Sequence, residues 1–357
     1  MENGRNLFAK IESKGLDGAI LLDEVSQHWS TGFFITDGIV FVTKKETLLV
    51  TDSRYIEAAR KGVAPDVRAI LPEADKSMLA TVYAEAKAQG VRKIAFDGGR
   101  MTVAQLSRLQ KALDGMELVD VPELCDELRR IKTPYEIESI RTAQKITDAA
   151  FTHICGVIRK GMTELEVAAE LEYFMRKNGA DGLAFETIAV SGPKSSLPHG
   201  VPGNVVLTEN SFLTMDYGAR YNGYCSDMTR TVVLGKADDE MKFIYETVLK
   251  AQKAAIAAYR PGVTGQFVDA AARDIIKAAG YGEQFGHSTG HSLGLEIHES
   301  PRSSVKSDDV FVPGQLMTAE PGIYLEGKYG VRIEDLLLST ETGNEDLTHS
   351  PKELIEL

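Results

Sequence analysis

Apolar and polar residues alternate in short helix-like and strand-like stretches along the first third of the chain. The spacing of apolar residues predicts a helix over Leu7 to Lys14, and the apolar run Gly18 to Leu22 predicts a strand. Gly38 to Val42 and Thr47 to Val50 predict a hairpin. The pattern then predicts helices ending at Ala59 and over Lys76 to Gln89 and Val103 to Leu113, with strands at Lys93 to Phe96 and near Leu118. Alternation of this kind is typical of an α/β domain.

The pattern changes near residue 130, where a charged stretch leads into a long amphipathic helix. Thr133-Pro134 and the acidic residue after them are typical of a helix start, and we predict this helix over Ile137 to Arg159. Thr163 and Glu166 have the spacing of a capping box and predict a second helix. A chain of 357 residues also exceeds what one hydrophobic core usually serves. We therefore predict two domains, residues 1–130 and 131–357.

Beyond the second helix the pattern becomes strand-like and carries acidic residues at unusual places. Ser211 to Tyr217 and Tyr224 to Leu234 predict two strands joined by a turn at Asn222-Gly223. That turn makes Asp216 and Asp227 diagonal neighbours on one face, and a turn centred one residue earlier makes them directly opposed. Either way their side chains lie within about 5 to 8 Å of each other. Carboxylates this close repel unless a cation lies between them, and an exposed acidic pair on the sheet surface is the alternative.

A second pair of acidic residues repeats this arrangement near the end of the chain. Leu316 to Glu320 predicts a strand that Pro321-Gly322 ends, and Val331 to Leu338 predicts the returning strand. Glu320 and Glu334 both fall next to apolar runs, inside these predicted strands. Four carboxylates and a histidine would make a set of oxygen and nitrogen ligands for two divalent ions, whose charge would balance the four acids.

A segment rich in glycine and histidine lies between the two acidic pairs. Residues 285–299 contain His287, His291 and His298, three of the seven histidines in the chain, together with three glycines. Clustered imidazoles suit a metal or proton-transfer site better than a packed core. His291 and His298 are an odd number of positions apart, so the chain must bend between them, and Gly294 is the expected place. His199 lies in a loop, Ser191 to Gly200, that precedes the first acidic strand.

The composition excludes several other classes of function. A net charge of -12 without a basic run argues against a nucleic-acid partner. The N-terminus has no apolar signal region and no stretch reaches the eighteen or so apolar residues of a membrane span, so we predict a cytoplasmic protein without a membrane partner. Three cysteines at scattered positions fit a reducing compartment and no disulfide framework.

Five short motifs follow one another along the second part of the chain. They are Asp216 in Met-Asp-Tyr-Gly, Asp227 in Cys-Ser-Asp-Met-Thr-Arg-Thr, His291 in Gly-His-Ser-Leu-Gly, Glu320 in Thr-Ala-Glu-Pro-Gly-Ile-Tyr and Glu334 in Gly-Val-Arg-Ile-Glu-Asp. In this order they resemble the motifs of the pita-bread metallopeptidases, and within them most closely the proline-specific branch. The resemblance covers about residues 133–357, and the first domain is similar to the creatinase-like N-terminal domain of those enzymes. The resemblance thus implies an α/β first domain and a catalytic domain with a curved antiparallel sheet flanked by helices.

The resemblance also implies a role for each candidate site residue. The five motif residues would bind two divalent ions, with manganese expected first and cobalt, zinc or iron as alternatives. His199 would protonate the departing proline nitrogen, His298 would contact the reacting carbonyl, and Glu320 would carry the proton of the attacking water. Arg302 would bind the substrate carboxylate. His287 would line the substrate cleft, with structural support as its alternative role.

The function implied first is that of an Xaa-Pro aminopeptidase, which cleaves peptides that have proline at the second position. An Xaa-Pro dipeptidase (prolidase) is the alternative, followed by a methionine aminopeptidase. The short form of methionine aminopeptidases lacks such a first domain. Creatinase and the non-catalytic binding proteins of this fold have lost ligands, whereas all five are present here. The resemblance also suggests a homodimer.

Overall fold

The computed structural model describes residues 3–357, and the chain divides into two compact units, Met1–Arg129 and Arg130–Leu357. The boundary inferred from the sequence lies one residue further along the chain. Among residues 3–357, no helix combines the length and the apolar composition needed to cross a membrane.

The first unit is an α/β domain built on one mixed sheet. The helices are α1 Asn3–Glu12, α2 Glu24–Thr31, α3 Ile56–Gly62, α4 Met78–Ala88, α5 Val103–Ala112 and α6 Asp126–Arg129, and the strands are β1 Gly18–Leu21, β2 Gly38–Thr43, β3 Thr47–Thr51, β4 Val67–Ile70, β5 Lys93–Phe96 and β6 Glu117–Asp120. The strands lie in the order β4-β3-β2-β1-β5-β6, and the side chains of Phe41, Leu48 and Ile94 are buried in the core of the unit. The elements α2 and β4 were not predicted from the sequence.

The second unit carries four long helices and thirteen strands within the described part of the chain. Its helices are α7 Pro134–Cys155, α8 Glu164–Lys177, α9 Asp239–Ala258 and α10 Gly265–Ala278. Its strands are β7 Gly182–Leu183, β8 Ile188–Ser191, β9 Ser211–Tyr217, β10 Ala219–Tyr221, β11 Tyr224–Cys225, β12 Met228–Leu234, β13 Gly290–Ser292, β14 Glu299–Ser303, β15 Leu316–Ala319, β16 Gly322–Leu325, β17 Tyr329–Arg332, β18 Asp335–Ser339 and β19 Asn344–Asp346.

Helices α7 and α8 begin where their capping residues predicted. Thr133 with Glu136, and Thr163 with Glu166, each form both hydrogen bonds of a capping box. Helix α7 ends at Cys155, earlier than predicted, because Gly156 takes the C-cap position. The sequence analysis did not predict α9 and α10, whose apolar faces pack into the largest core of the unit.

Two long hairpins position the acidic residues. In the first, Asp216 on β9 lies opposite Thr229 on β12, so Asp216 and Asp227 are diagonal neighbours, as a turn at Asn222-Gly223 predicts. In the second, Ala319 pairs with Asp335 and Gly322 pairs with Arg332 in one continuous register. Glu320 and Glu334 therefore face each other across the gap between these two ladders.

Three of the four acidic residues lie at strand breaks, and the prediction that they lie inside strands was wrong for these three. Asp227 precedes β12, Glu320 follows β15, and Glu334 lies between β17 and β18. Only Asp216 lies inside its strand. At a break the backbone leaves the ladder, which frees the side chain from the strict alternation between the two faces of a sheet.

A buried network of charged groups joins the C-terminal segment to these two hairpins. The Arg230 guanidinium donates to Asp335 at 2.7 Å, to the Glu334 carbonyl at 2.5 Å and to the carbonyls of Ser350 and Pro351. Asp335 also accepts from Lys352. Because charge and hydrogen bonds are both satisfied, this buried cluster can persist without water.

Replacing Arg230 with methionine is expected to lower the unfolding free energy of the second unit by about 3 to 5 kcal/mol, because four backbone carbonyls and the buried Asp335 lose their donor. Urea denaturation followed by circular dichroism measures the change. The control is Lys236→Met, which removes only an exposed pair with Glu356 and should unfold close to wild type. Equal midpoints for both variants would show that the network does not stabilise the fold.

Candidate metal centre and active-site cleft

All nine candidate residues line one cleft in the second unit. The cleft has a volume of about 640 Å³. These residues come from several separate segments of the chain, and the fold brings the segments together. They are His199, Asp216, Asp227, His287, His291, His298, Arg302, Glu320 and Glu334.

Asp227, His291 and Glu334 form the tightest group at the floor of this cleft. Each offers one ligand atom, and these atoms lie within 4.8 Å of one another. His291 Nε2 is 3.6 Å from an Asp227 oxygen and 3.3 Å from a Glu320 oxygen. Its Nδ1 lies 3.0 Å from the Ser292 carbonyl, which assigns the proton to Nδ1 and leaves the Nε2 lone pair facing the carboxylates. This geometry suits metal ligation.

The carboxylates of the site destabilise one another's charge. Burial, and then repulsion from Glu334, Asp216 and Glu320, raises the pKa of Asp227 well above its usual value. Burial, and then Glu320 and Asp216, does the same to the pKa of Glu334. Burial raises the pKa of Glu320 to about 7, and burial lowers the pKa of His291 to about 3. A neutral imidazole among crowded carboxylates is the electrostatic setting that a divalent cation stabilises.

Two buried carboxylate oxygens have no hydrogen-bond partner among the described residues. They are Asp216 Oδ1 and Glu334 Oε1. The other oxygen of each group is occupied, since Asp216 Oδ2 accepts from Arg332 at 2.6 Å and Glu334 Oε2 accepts from Thr229 at 2.7 Å. Buried oxygens are rarely left unpaired. One free oxygen on each of two buried ligands fits a site built for cations.

Arg332 is a site residue that the sequence analysis did not assign. Its buried guanidinium binds Asp216, Thr229 and the hydroxyl of Tyr324 at distances of 2.6 to 2.9 Å. It also donates to the Pro198 carbonyl, next to His199. A charged residue inside an apolar strand, two positions before Glu334, was the signal that could have identified it.

His287 has both ring nitrogens engaged by the protein. Nδ1 donates to the Ser288 carbonyl at 2.8 Å, so Nε2 accepts from the Tyr324 hydroxyl at 2.9 Å. Burial, and then Arg332, lowers the pKa of His287 to about 4. These contacts describe a neutral imidazole that supports the cleft wall, the alternative role given to His287 above. A contact with substrate stays a prediction.

His199, His298 and Arg302 are the exposed members of the cleft. Partial burial, followed by Arg302 and His199, lowers the pKa of His298, and its ring packs edge-on against His291 with centroids 4.6 Å apart. Arg302 on β14 pairs with His291 on β13, so the two side chains share a face. The predicted bend between His291 and His298 is confirmed, because residues 294–298, which include Gly294, form a bend. The register of the ladder also shifts between His291 and Ser292.

Comparisons with known proteins agree with this geometry. The sequence model of metallopeptidase family M24 matches residues 138–341, and that of the creatinase/prolidase N-terminal domain matches residues 5–131. The chain is 43% identical over 257 residues to an Xaa-Pro dipeptidase of Pyrococcus furiosus, covering 72% of this chain and 74% of the relative.

Two solved structures superpose on nearly the whole chain. A structure described as an Xaa-Pro dipeptidase from Bacillus anthracis has a TM-score of 0.94 and 43% identity, and covers 100% of this chain and 99% of its own. An X-Pro aminopeptidase from Thermotoga maritima has a TM-score of 0.93 and 35% identity, with 99% of both chains covered. Fold and domain content therefore agree with both proline-specific activities.

Metal binding is expected to release protons, and to release more of them at low pH. At pH 6, below the pKa of about 7 for Glu320, the metal-free site retains protons that an incoming cation must displace. At pH 8.5 Glu320 is ionised already, so fewer protons leave and the apparent affinity rises. Titration calorimetry with manganese, in two buffers of different ionisation enthalpy, measures the number released. Equal proton release at the two pH values would contradict this electrostatic description.

Proposed function

The chain belongs to metallopeptidase family M24 and carries a creatinase/prolidase N-terminal domain, and from this we propose that it is an Xaa-Pro dipeptidase. It is a metallo-exopeptidase, and its substrates would be dipeptides with proline at the second position. The sequence analysis placed this activity second, after Xaa-Pro aminopeptidase. The names of the Pyrococcus furiosus and Bacillus anthracis relatives support the dipeptidase, whereas the Thermotoga maritima structure keeps the aminopeptidase as the second candidate.

The observation that carries the proposal is the place of Arg302. Its β-ladder partner is the candidate ligand His291, and its side chain lines the same cleft. A guanidinium binds a carboxylate through two parallel hydrogen bonds. In a dipeptide the free carboxylate belongs to the residue directly after the scissile bond. Because Arg302 lies beside the candidate ligand His291, its guanidinium would bind a carboxylate at that position and so favour dipeptides over longer peptides.

The donor set of the cleft fits divalent cations. Asp216, Asp227, His291, Glu320 and Glu334 would hold two of them, and manganese is the ion we expect first. Such ions would supply an activated water and polarise the scissile carbonyl. The free oxygens of Asp216 and Glu334, and the Nε2 lone pair of His291, support this assignment.

The chain's own residues would handle the protons. Glu320, which accepts a hydrogen bond from Thr318 at 3.0 Å, would take the proton of the attacking water. His298 is neutral at pH 7 because its pKa is lowered, so it can donate an N–H to the reacting carbonyl. The departing nitrogen of proline belongs to a tertiary amide and must be protonated as the bond breaks. His199, exposed at the cleft, would donate that proton.

The apolar residues of the cleft offer a place for the proline ring. Phe185, Ile188 and Ile297 line the cleft beside the polar site. A peptidase that holds its substrate by strand pairing loses one hydrogen bond at proline, which lacks an N–H. Apolar contact with the ring would offset that loss.

The expected homodimer and the cytoplasmic location stay predictions. Manganese as the native ion is also a prediction.

Manganese-loaded protein is expected to release proline from Gly-Pro and Ala-Pro while leaving Ala-Pro-Ala and Met-Ala-Ser intact. Wild type should also prefer Ala-Pro to its C-terminal amide. Arg302→Ala should lower kcat/KM for Ala-Pro by about 10- to 100-fold, the worth of a charged hydrogen bond, and abolish the preference over the amide. Liquid chromatography of the products gives both rates.

Arg302→Lys serves as the matched control because it keeps the charge but loses the planar fork. It should retain part of the preference for the free carboxylate. Release of alanine from Ala-Pro-Ala at the Ala-Pro rate would assign the protein to the aminopeptidases. Cleavage of Met-Ala-Ser alone would contradict proline specificity altogether.

A further inference from the structure

The segment that carries His199 has little regular structure of its own. It leaves β8 at Ser191, passes through a short 3-10 helix at Gly192–Ser196, and reaches the exposed turn that contains His199. Regular hydrogen-bonded structure does not resume until β9. A side chain on such a segment can keep a fixed place only if other elements hold the backbone on both sides of it.

One buried carboxylate binds this segment on both sides of His199. Glu164, the first residue of α8, is 0% exposed. Its Oε1 accepts from the Ser191 backbone N–H at 2.9 Å, before His199 in the chain. Its Oε2 accepts from the Lys194 ammonium at 2.6 Å and from the Gly203 backbone N–H at 3.1 Å, the latter beyond His199. A single side chain thus closes the loop on which His199 lies.

The N-terminus of α8 strengthens this closure with its own backbone. The N–H groups of Glu164 and Leu165, which have no partner inside the helix, donate to the carbonyls of Val205 and Gly203. Gly203 therefore receives a bond from α8 and donates one to it. The anchored stretch is joined at both ends to one helix terminus.

The opposite face of the segment is held by the strand that carries Arg332. The Arg332 guanidinium donates to the Pro198 carbonyl at 3.2 Å, and the Gly330 N–H donates to the Ser195 hydroxyl at 2.9 Å. Gly330 must be glycine, because a Cβ there would lie 2.3 Å from the Ser195 carbonyl oxygen. In the chain, His199 therefore lies between Pro198, which accepts from Arg332, and Gly203, which donates to Glu164.

We infer that Glu164 is a positioning residue that holds His199 where it can protonate the departing proline nitrogen. This inference rests on the proposed function, in which His199 is the proton donor. Glu164 does not line the cleft, so it acts through the backbone of the segment and not on the substrate. Its carboxylate only accepts hydrogen bonds, which matches the three donors that surround it.

The test is Glu164→Gln, which keeps the size of the side chain but replaces one acceptor oxygen with an NH₂ group. Lys194 and the Gly203 N–H would then face a donor, so the segment should loosen around His199. A misplacement of this kind is expected to lower kcat for Ala-Pro by about 10- to 100-fold, with the stoichiometry of bound manganese unchanged.

Two comparisons separate positioning from a general loss of structure. An alanyl thioester of a mercapto acid has a leaving thiolate that needs no proton, so Glu164→Gln should slow its cleavage by less than about threefold. In a His199→Ala background, Glu164→Gln should slow Ala-Pro hydrolysis little further, because both changes remove the same proton transfer. Equal slowing of both substrates, or fully additive effects, would overturn the inference.

The matched control is Glu166→Gln on the same helix. Its capping box accepts glutamine as well as glutamate, so activity should stay within about twofold of wild type. If Glu164→Gln does not fold, Lys194→Met serves in its place, since it removes one donor of the three from a partly exposed side chain. Lys194→Met should show the same dependence on leaving group with a smaller loss of kcat.

The imidazole signal of His199 provides a readout that does not depend on the reaction. In protein labelled with ¹³C-histidine, Glu164→Gln should broaden or shift the His199 resonance and leave that of His153, which pairs with Glu170, unchanged. An inactive wild type would refute the proposed function alone, and the inference would then be decided by this signal. An unchanged His199 resonance, or wild-type activity of Glu164→Gln, would refute the positioning role.

Discussion

The repulsion among four buried carboxylates is the constraint on which the rest of this structure depends. Asp216, Asp227, Glu320 and Glu334 share one small region of low exposure, and burial together with mutual repulsion raises the pKa of three of them. In water such groups would separate. In the folded protein the two hairpins hold them together, and the positive charge of Arg332 alone does not balance their negative charge.

The fold holds these acids through two hairpins that break at corresponding places. Each hairpin keeps one register on both sides of its break, and Asp227, Glu320 and Glu334 lie at these breaks. Thr229 joins the hairpins by donating to the Glu334 carboxylate and accepting from the Glu334 backbone. Arg230, the next residue, binds the Glu334 carbonyl, so neighbouring residues support one ligand from opposite sides of the strand.

Buried side chains also hold the loops around the site in place. Arg273 on α10 pairs with the buried Asp269 and donates to the carbonyls of Phe285 and His287, ahead of His291. Asp269 in turn accepts from the Thr289 backbone. Glu164 does the corresponding work for the His199 segment. In both cases a buried carboxylate on a helix fixes a loop that bears a histidine.

Local patterns explain which parts of the molecule could be predicted from sequence. The Asn222-Gly223 turn predicted that Asp216 and Asp227 are neighbours on one face, and the observed register selects the diagonal of the two placements that the sequence left open. The strand break near Glu320 was predicted from Pro321-Gly322 and lies one residue earlier than expected, whereas the break at Glu334 was not predicted, because no proline or glycine marks it. Arg332 was missed because its partner Asp216 lies far away in the chain, and because no sequence pattern marks its other partner, Tyr324, as a site residue. Gly294 was identified for a bend, and it lies in the bend formed by residues 294–298.

A crystal structure of manganese-loaded protein, with anomalous diffraction recorded at the manganese edge, would test the two-metal site directly. We expect two anomalous peaks, about 3.5 to 4 Å apart, among Asp216, Asp227, His291, Glu320 and Glu334. The free oxygens of Asp216 and Glu334 should each face a peak. A single peak, or peaks away from these five residues, would show that the carboxylates do not form a two-metal site.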